Sequence, residues 1–132
     1  MGQQQLLLIV LGVIIVGIAI VVGINLFNAN AEESAKDTLA SEGTNLAALA
    51  QQFYKKPLAL GGGGNTFNTG GGAGTGFTIP AKLATSGTGA VWSMPTKAAQ
   101  NILLRATNTV TSGYTWTVEV YVKSDSIGTK IQ

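Results

Sequence analysis

The chain has no cysteine and no histidine. Thiol and imidazole nucleophiles, CxxC redox chemistry and the ordinary zinc ligand sets are therefore excluded. Charge is sparse as well, with eight basic and six acidic side chains among 132 residues and a net charge of +2. The isoelectric point near 9.0 reflects a surplus of two groups rather than a basic patch, so nucleic-acid binding gains no support. The six carboxylates are scattered and show no calcium-loop spacing. No catalytic, cofactor-binding or metal-ligating residue can be assigned, and no enzyme or cofactor is expected. There is no internal repeat, and the first of only three prolines is Pro57.

The most consequential shortage is local. Met1–Ala31 holds no charged side chain, and Leu6–Phe27 reads LLLIVLGVIIVGIAIVVGINLF. A spanning helix needs about 20 apolar residues at roughly 1.5 Å of rise each, and this run meets that length. Water does not tolerate it exposed, so it sits in a bilayer or in an assembly of its own copies. A secretory signal has a basic n-region and a shorter apolar core; here no Lys or Arg precedes the run. Gly2 does not make a myristoylation signal, because Leu6 stands where that motif wants Ser or Thr. The packing residues of the run are Leu6, Leu7, Leu8, Ile9, Val10, Leu11, Val13, Ile14, Ile15, Val16, Ile18, Ile20, Val21, Val22, Ile24, Leu26 and Phe27. At about 2 kcal/mol each, removing these side chains from water is worth an upper bound of ~35 kcal/mol. Leaving lipid gains far less, because lipid is already apolar.

No turn cluster separates this run from the polar stretch that follows. In Ala31–Lys56, Leu39, Leu46, Ala50 and Phe53 fall at offsets of 7, 11 and 14, which is helical spacing. Lys55 and Lys56 suit a helix C-terminus and Pro57 ends it. The spacing predicts one helix of about 50 residues, on the order of 75 Å long, with an apolar first half over 1–28 and an amphipathic second half over 29–56. Gly43 reads as a weak point in the second half, because glycine is a poor helix former.

A Gly-rich loop is expected over 57–76. Gly61–Gly64 and Gly70–Gly72 cannot hold a helix. A phosphate-cradling loop is ruled out, since no Lys-Ser/Thr follows the glycines and no strand precedes them. The loop should hug the surface, pinned by Leu58, Leu60 and Phe67. A small antiparallel β-sheet head of three to five strands is expected over 77–132. Tyr114–Val122 alternates strictly, with Tyr114, Trp116, Val118, Val120 and Val122 on the core face. Gln100–Thr107 reads as its hairpin partner across Thr111-Ser112-Gly113. Ala90–Met94, ended by Pro95, and Ser126–Ile131 are further strands, and Phe77–Ile79 is a candidate. The sheet is expected to lie across Leu39, Leu46, Ala50 and Phe53 through Trp116, Val118 and Val120. Trp92 and Trp116 are read as core or sheet-face packing. The fold class is α+β: a long N-terminal α-helix packed against a small C-terminal antiparallel β-sheet.

That order of elements resembles a type IV pilin or pilin-like filament subunit. Two stretches carry a closer likeness: Met1–Ile20, MGQQQLLLIVLGVIIVGIAI, and Ala50–Phe67, AQQFYKKPLALGGGGNTF. Both resemble a group of short bacterial pilin-like proteins, and the rest agrees in architecture. The resemblance implies a structural protein, the major pilin of an extracellular type IV pilus-like filament. Its subunits would wait in the inner membrane, anchored by Leu6–Phe27. A pilus assembly ATPase and a platform protein would extract them into a homopolymer at the cell surface, helices along the axis and heads outside.

Two departures from that family follow. Pilins carry a glutamate a few residues after the mature N-terminus, thought to pair with a neighbour's terminal amine. The usual basic leader is also missing, so either Met1 begins the mature chain or a minimal leader is cut after Gly2. The first is expected, and it puts Gln5 in the glutamate's place. Gln3, Gln4 and Gln5 would then form neutral hydrogen bonds between subunits, or mark the membrane interface. Pilin helices also lose structure locally on assembly, usually near a proline. No proline lies in this helix, so the melted stretch is expected around Gly17–Asn25, at Gly17, Gly23 and Asn25. Close helix packing is the other use of those small residues. The alternative function is a single-span surface protein with a small β-rich binding head.

Overall fold

A computed structural model of the chain describes residues 2–68, 76–108 and 115–132. Helix α1 runs unbroken over Gly2–Lys55, followed by a short 3-10 turn at Leu58–Leu60 and four strands. These are β1 (Ala90–Lys97), β2 (Asn101–Asn108), β3 (Val118–Lys123) and β4 (Ile127–Ile131). Contacts divide the chain into two units, Met1–Ser34 and Ala35–Gln132.

The first unit holds only the N-terminal part of α1, apolar on every side over Leu6–Phe27. The second is the α+β head. Its strands form one antiparallel sheet, as the sequence predicts, and lie in the order β1-β2-β3-β4. In α1 the buried positions are Leu39, Gly43, Leu46, Ala47 and Ala50, one stripe at helical spacing. The facing side chains are Trp92 from β1, Ile102, Leu104 and Ala106 from β2, and Val118, Val120 and Val122 from β3. The period-two alternation of a sheet with one covered face puts them there. Trp116, just before β3, is buried in the same core, and Phe53 packs at its margin.

Phe67 is fully buried and donates its N–H to Ala99 O at 3.0 Å. Phe77 donates in turn to Phe67 O at 2.9 Å. Tyr54 packs on Phe67 and Phe53 on Phe77, with ring centroids 4.7 and 5.8 Å apart. These aromatic pairs close the end of the core next to the helix C-terminus.

Several expectations are corrected. Pro95 does not end β1: the strand continues to Lys97, and the register with β2 shifts between Ser93 and Thr96. A bulge on an edge strand tolerates the missing N–H. Phe77–Ile79 forms no strand; Phe77 donates its N–H to Phe67 O and its carbonyl accepts from Lys97 Nζ at 3.5 Å instead. Strand β3 begins at Val118, although Thr117 still exchanges two backbone hydrogen bonds with Gln132, at 2.7 and 2.9 Å. Of the three expected pins, Phe67 enters the core, Leu58 is half exposed with its side chain laid against Gly64 of the loop, and Leu60 stands outward at 66% exposure. Gly43 is no weak point either. The sheet approaches α1 closely there: a Cβ would lie 2.6 Å from Val120 Cγ2 and 2.7 Å from Trp92 Cη2. Tyr114, the Thr111–Gly113 turn and Gly70–Gly72 lie outside the described residues.

Candidate assembly surface

All 17 large apolar side chains from Leu6 to Phe27 are between 53% and 74% exposed. Phe27 is the most exposed of them. A helix that is apolar all round has no preferred buried face of its own, so nothing in this unit can cover it. By length and composition α1 can cross a membrane. Gln3, Gln4 and Gln5 are exposed, and Gln3 shares a stripe with Leu6, Leu7 and Val10. A Cβ added at Gly12, Gly17 or Gly23 would meet nothing within 4 Å. These glycines therefore answer no packing demand within the chain. The helix passes through Gly17, Gly23 and Asn25 without interruption.

The head-packing residues expected from the sequence are brought together. Leu39, Leu46, Ala50, Trp116, Val118 and Val120 are buried in one cluster, and Phe53 is half-buried against it. Trp92 donates from Nε1 to Glu42 Oε2 at 3.5 Å, and the Lys36 ammonium sits 5.4 Å from the Trp116 ring.

The outer face of the sheet holds a feature that sequence reasoning missed. Glu119 belongs to the solvent side of the alternation, yet it is 2% exposed. Arg105 Nε and Nη2 both donate to its Oε1, at 2.8 and 2.6 Å. Tyr121 Oη donates to Oε2 at 3.0 Å. Arg105 and Glu119 face each other across the β2–β3 register, and Tyr121 follows on the same face. The hydrogen bonds from Arg105, then from Tyr121, hold the Glu119 carboxyl below its ordinary value of 4.5. Its carboxylate in turn raises the Tyr121 phenol above 10.0. Once the β2–β3 register is known, the pair can be read from the sequence. Without the turn that sets that register, it cannot.

Beside Tyr121 a shallow groove of about 220 Å³ is lined by Thr96, Asn101, Ile102, Leu103, Tyr121, Val122 and Lys123. Among the described residues no three metal-ligating side chains come together. The features that stand out chemically are thus an apolar helix left uncovered and a satisfied ion pair. No family model matches the chain, and no curated protein or solved structure matches it significantly.

Proposed function

We propose that this chain is a structural subunit, the major pilin of an extracellular type IV pilus-like filament, polymerising through Leu6–Phe27. The observation that carries this reading is the exposure of all 17 large apolar side chains of that run on a chain that also has a closed, well-packed head. Re-exposing them to water costs enough to hold a polymer together. In lipid they are already satisfied, so removal from the membrane needs external work. By resemblance, an assembly ATPase and a platform protein supply that work. The neutral Gln3, Gln4 and Gln5 would meet neighbouring copies by hydrogen bonds. No cofactor has a role in this scheme.

The second reading is a single-span surface protein whose small β-rich head binds a ligand. The length and composition of α1, sufficient for membrane anchoring, favour it. One experiment separates the two. Surface appendages are sheared from the native cells and imaged by cryo-electron microscopy. A filament with Leu6–Phe27 helices at its centre supports the first reading. A chain confined to washed membranes rejects it.

A further inference from the structure

The C-terminal end of α1 folds into a fixed turn that displays two leucines. Leu60 and Gly62 donate their N–H groups to Pro57 O, at 3.1 and 3.0 Å. Gly63 donates to Phe53 O at 2.7 Å, Gly64 to Lys56 O at 3.0 Å and Asn65 to Tyr54 O at 2.8 Å. A Cβ at Gly62 would overlap the Lys56 carbonyl, and one at Gly63 the Thr66 carbonyl. The glycines thus allow a rigid wrap of chain over the helix end. That wrap leaves Leu58, whose side chain rests against Gly64, and Leu60 with 51% and 66% of their surface exposed, next to the exposed Lys55 and Lys56. The result is a small apolar knob with a cationic collar.

Charge selects what this knob fits. The groove on the head's own sheet is apolar but carries Lys123, so a second copy's knob would bring cation to cation there. The unit Met1–Ser34 is the opposite case. Its only charged side chains are Glu32 and Glu33, whereas Ala35–Gln132 carries all eight basic side chains and four acidic ones. Glu33 is exposed and lies seven residues after Leu26, on the same stripe of α1. Leu26 and the adjacent Phe27 are 60% and 74% exposed.

We infer that the Lys55–Leu60 knob of one copy docks on the Leu26–Glu33 segment of a second copy, leucines on Leu26 and Phe27, ammonium groups on the acidic end. This rests on the filament reading and names one contact within it. Leu26 and Phe27 end the apolar run, so the contact continues the proposed core interface outward. The two patches differ, so the contact is heterologous. Such contacts propagate into open helical polymers rather than closing as a two-fold dimer.

The test uses the full chain in cells that carry its assembly machinery. The readouts are sheared polymer, chain level in membranes and cryo-electron microscopy of the filament. Lys55→Glu with Lys56→Glu lowers sheared polymer about tenfold, because like charges then face each other, while the membrane level stays unchanged. Glu33→Lys alone does the same, and the triple variant restores polymer. In wild-type filaments Leu60 touches Phe27 of a neighbour. If every charge variant polymerises at the wild-type level, the docking inference fails and the filament reading stands. If the wild-type chain gives no polymer, both fail. A lysine-collar variant that loses binding to phosphatidylglycerol vesicles, with no rescue by Glu33→Lys, overturns the inference in favour of a lipid surface.

Discussion

At Gly43 a methyl group has no room, whereas at Gly17 it has open space all round. The same substitution therefore acts in opposite directions at the two sites. Gly43→Ala gains roughly 1 kcal/mol of helix propensity but forces a Cβ against Val120 and Trp92, and overpacking of this kind costs about 1–3 kcal/mol. We expect a net loss of about 1 kcal/mol, measured by urea unfolding of the detergent-solubilised full chain. Gly17→Ala should raise helicity in the same preparation. Glu119 supplies a second test at this scale. Its folded value lies below 4.5, so its stabilisation is present above 4.5 and is lost as pH falls through the folded value. Tyr121 is raised above 10.0, so its contribution is present below that value and is lost as pH rises through the folded one. Glu119→Gln should flatten the acid limb of the unfolding-midpoint profile, and Tyr121→Phe the alkaline limb.

At the scale of elements, α1 is one helix with two environments. Over Leu39–Ala50 it is packed on the sheet, and over Leu6–Phe27 none of the described residues covers it. Leu104 sits at the centre of β2 with no exposure, so Leu104→Ala should cost about 2–5 kcal/mol in the same unfolding assay. In the apolar half, Gly17, Gly23 and Asn25 weaken the ladder, and among the described residues nothing packs where a Cβ at Gly17 or Gly23 would lie. If assembly melts part of the helix, the break falls there. Continuous helical density from Leu6 to Phe53 in a filament map would sink this idea. The strands repeat the lesson of context. β1 tolerates Pro95 because it lies at an edge and bulges there. Its neighbouring segment also lays Ala84 and Ser86 against it, through bonds of 2.8 Å to Trp92 and Ala90.

For the whole molecule, the decisive quantity is the apolar surface that the folded chain leaves uncovered. A single charge in its middle tests the consequence directly. Val16→Asp places a carboxylate where a bilayer centre penalises it by about 2.5–3.5 kcal/mol, and a dry filament core penalises it as well. We expect this variant to lose sheared polymer and to weaken membrane retention, read by fractionation and immunoblot. A variant that still polymerises at the wild-type level would mean that Leu6–Phe27 is not the polymer's core.

Much of this protein follows from local pattern alone. The uncharged run to Ala31 fixes an element that must leave water. The spacing of Leu39, Leu46, Ala50 and Phe53 fixes which face of the second half is covered. The alternation from Trp116 to Val122 fixes a half-buried strand. These are local periodicities, and the backbone geometry of helix and strand converts them directly into faces. What the tertiary structure alone decided involves residues distant in sequence. Gly43 looks like a defect until Val120 and Trp92 arrive against it. Leu60 looks like an anchor until the turn over Phe53–Lys56 points it outward. Glu119 looks like a solvent residue until Arg105 and Tyr121 enclose it. Each of those outcomes depends on register and close approach between elements, which no local pattern encodes.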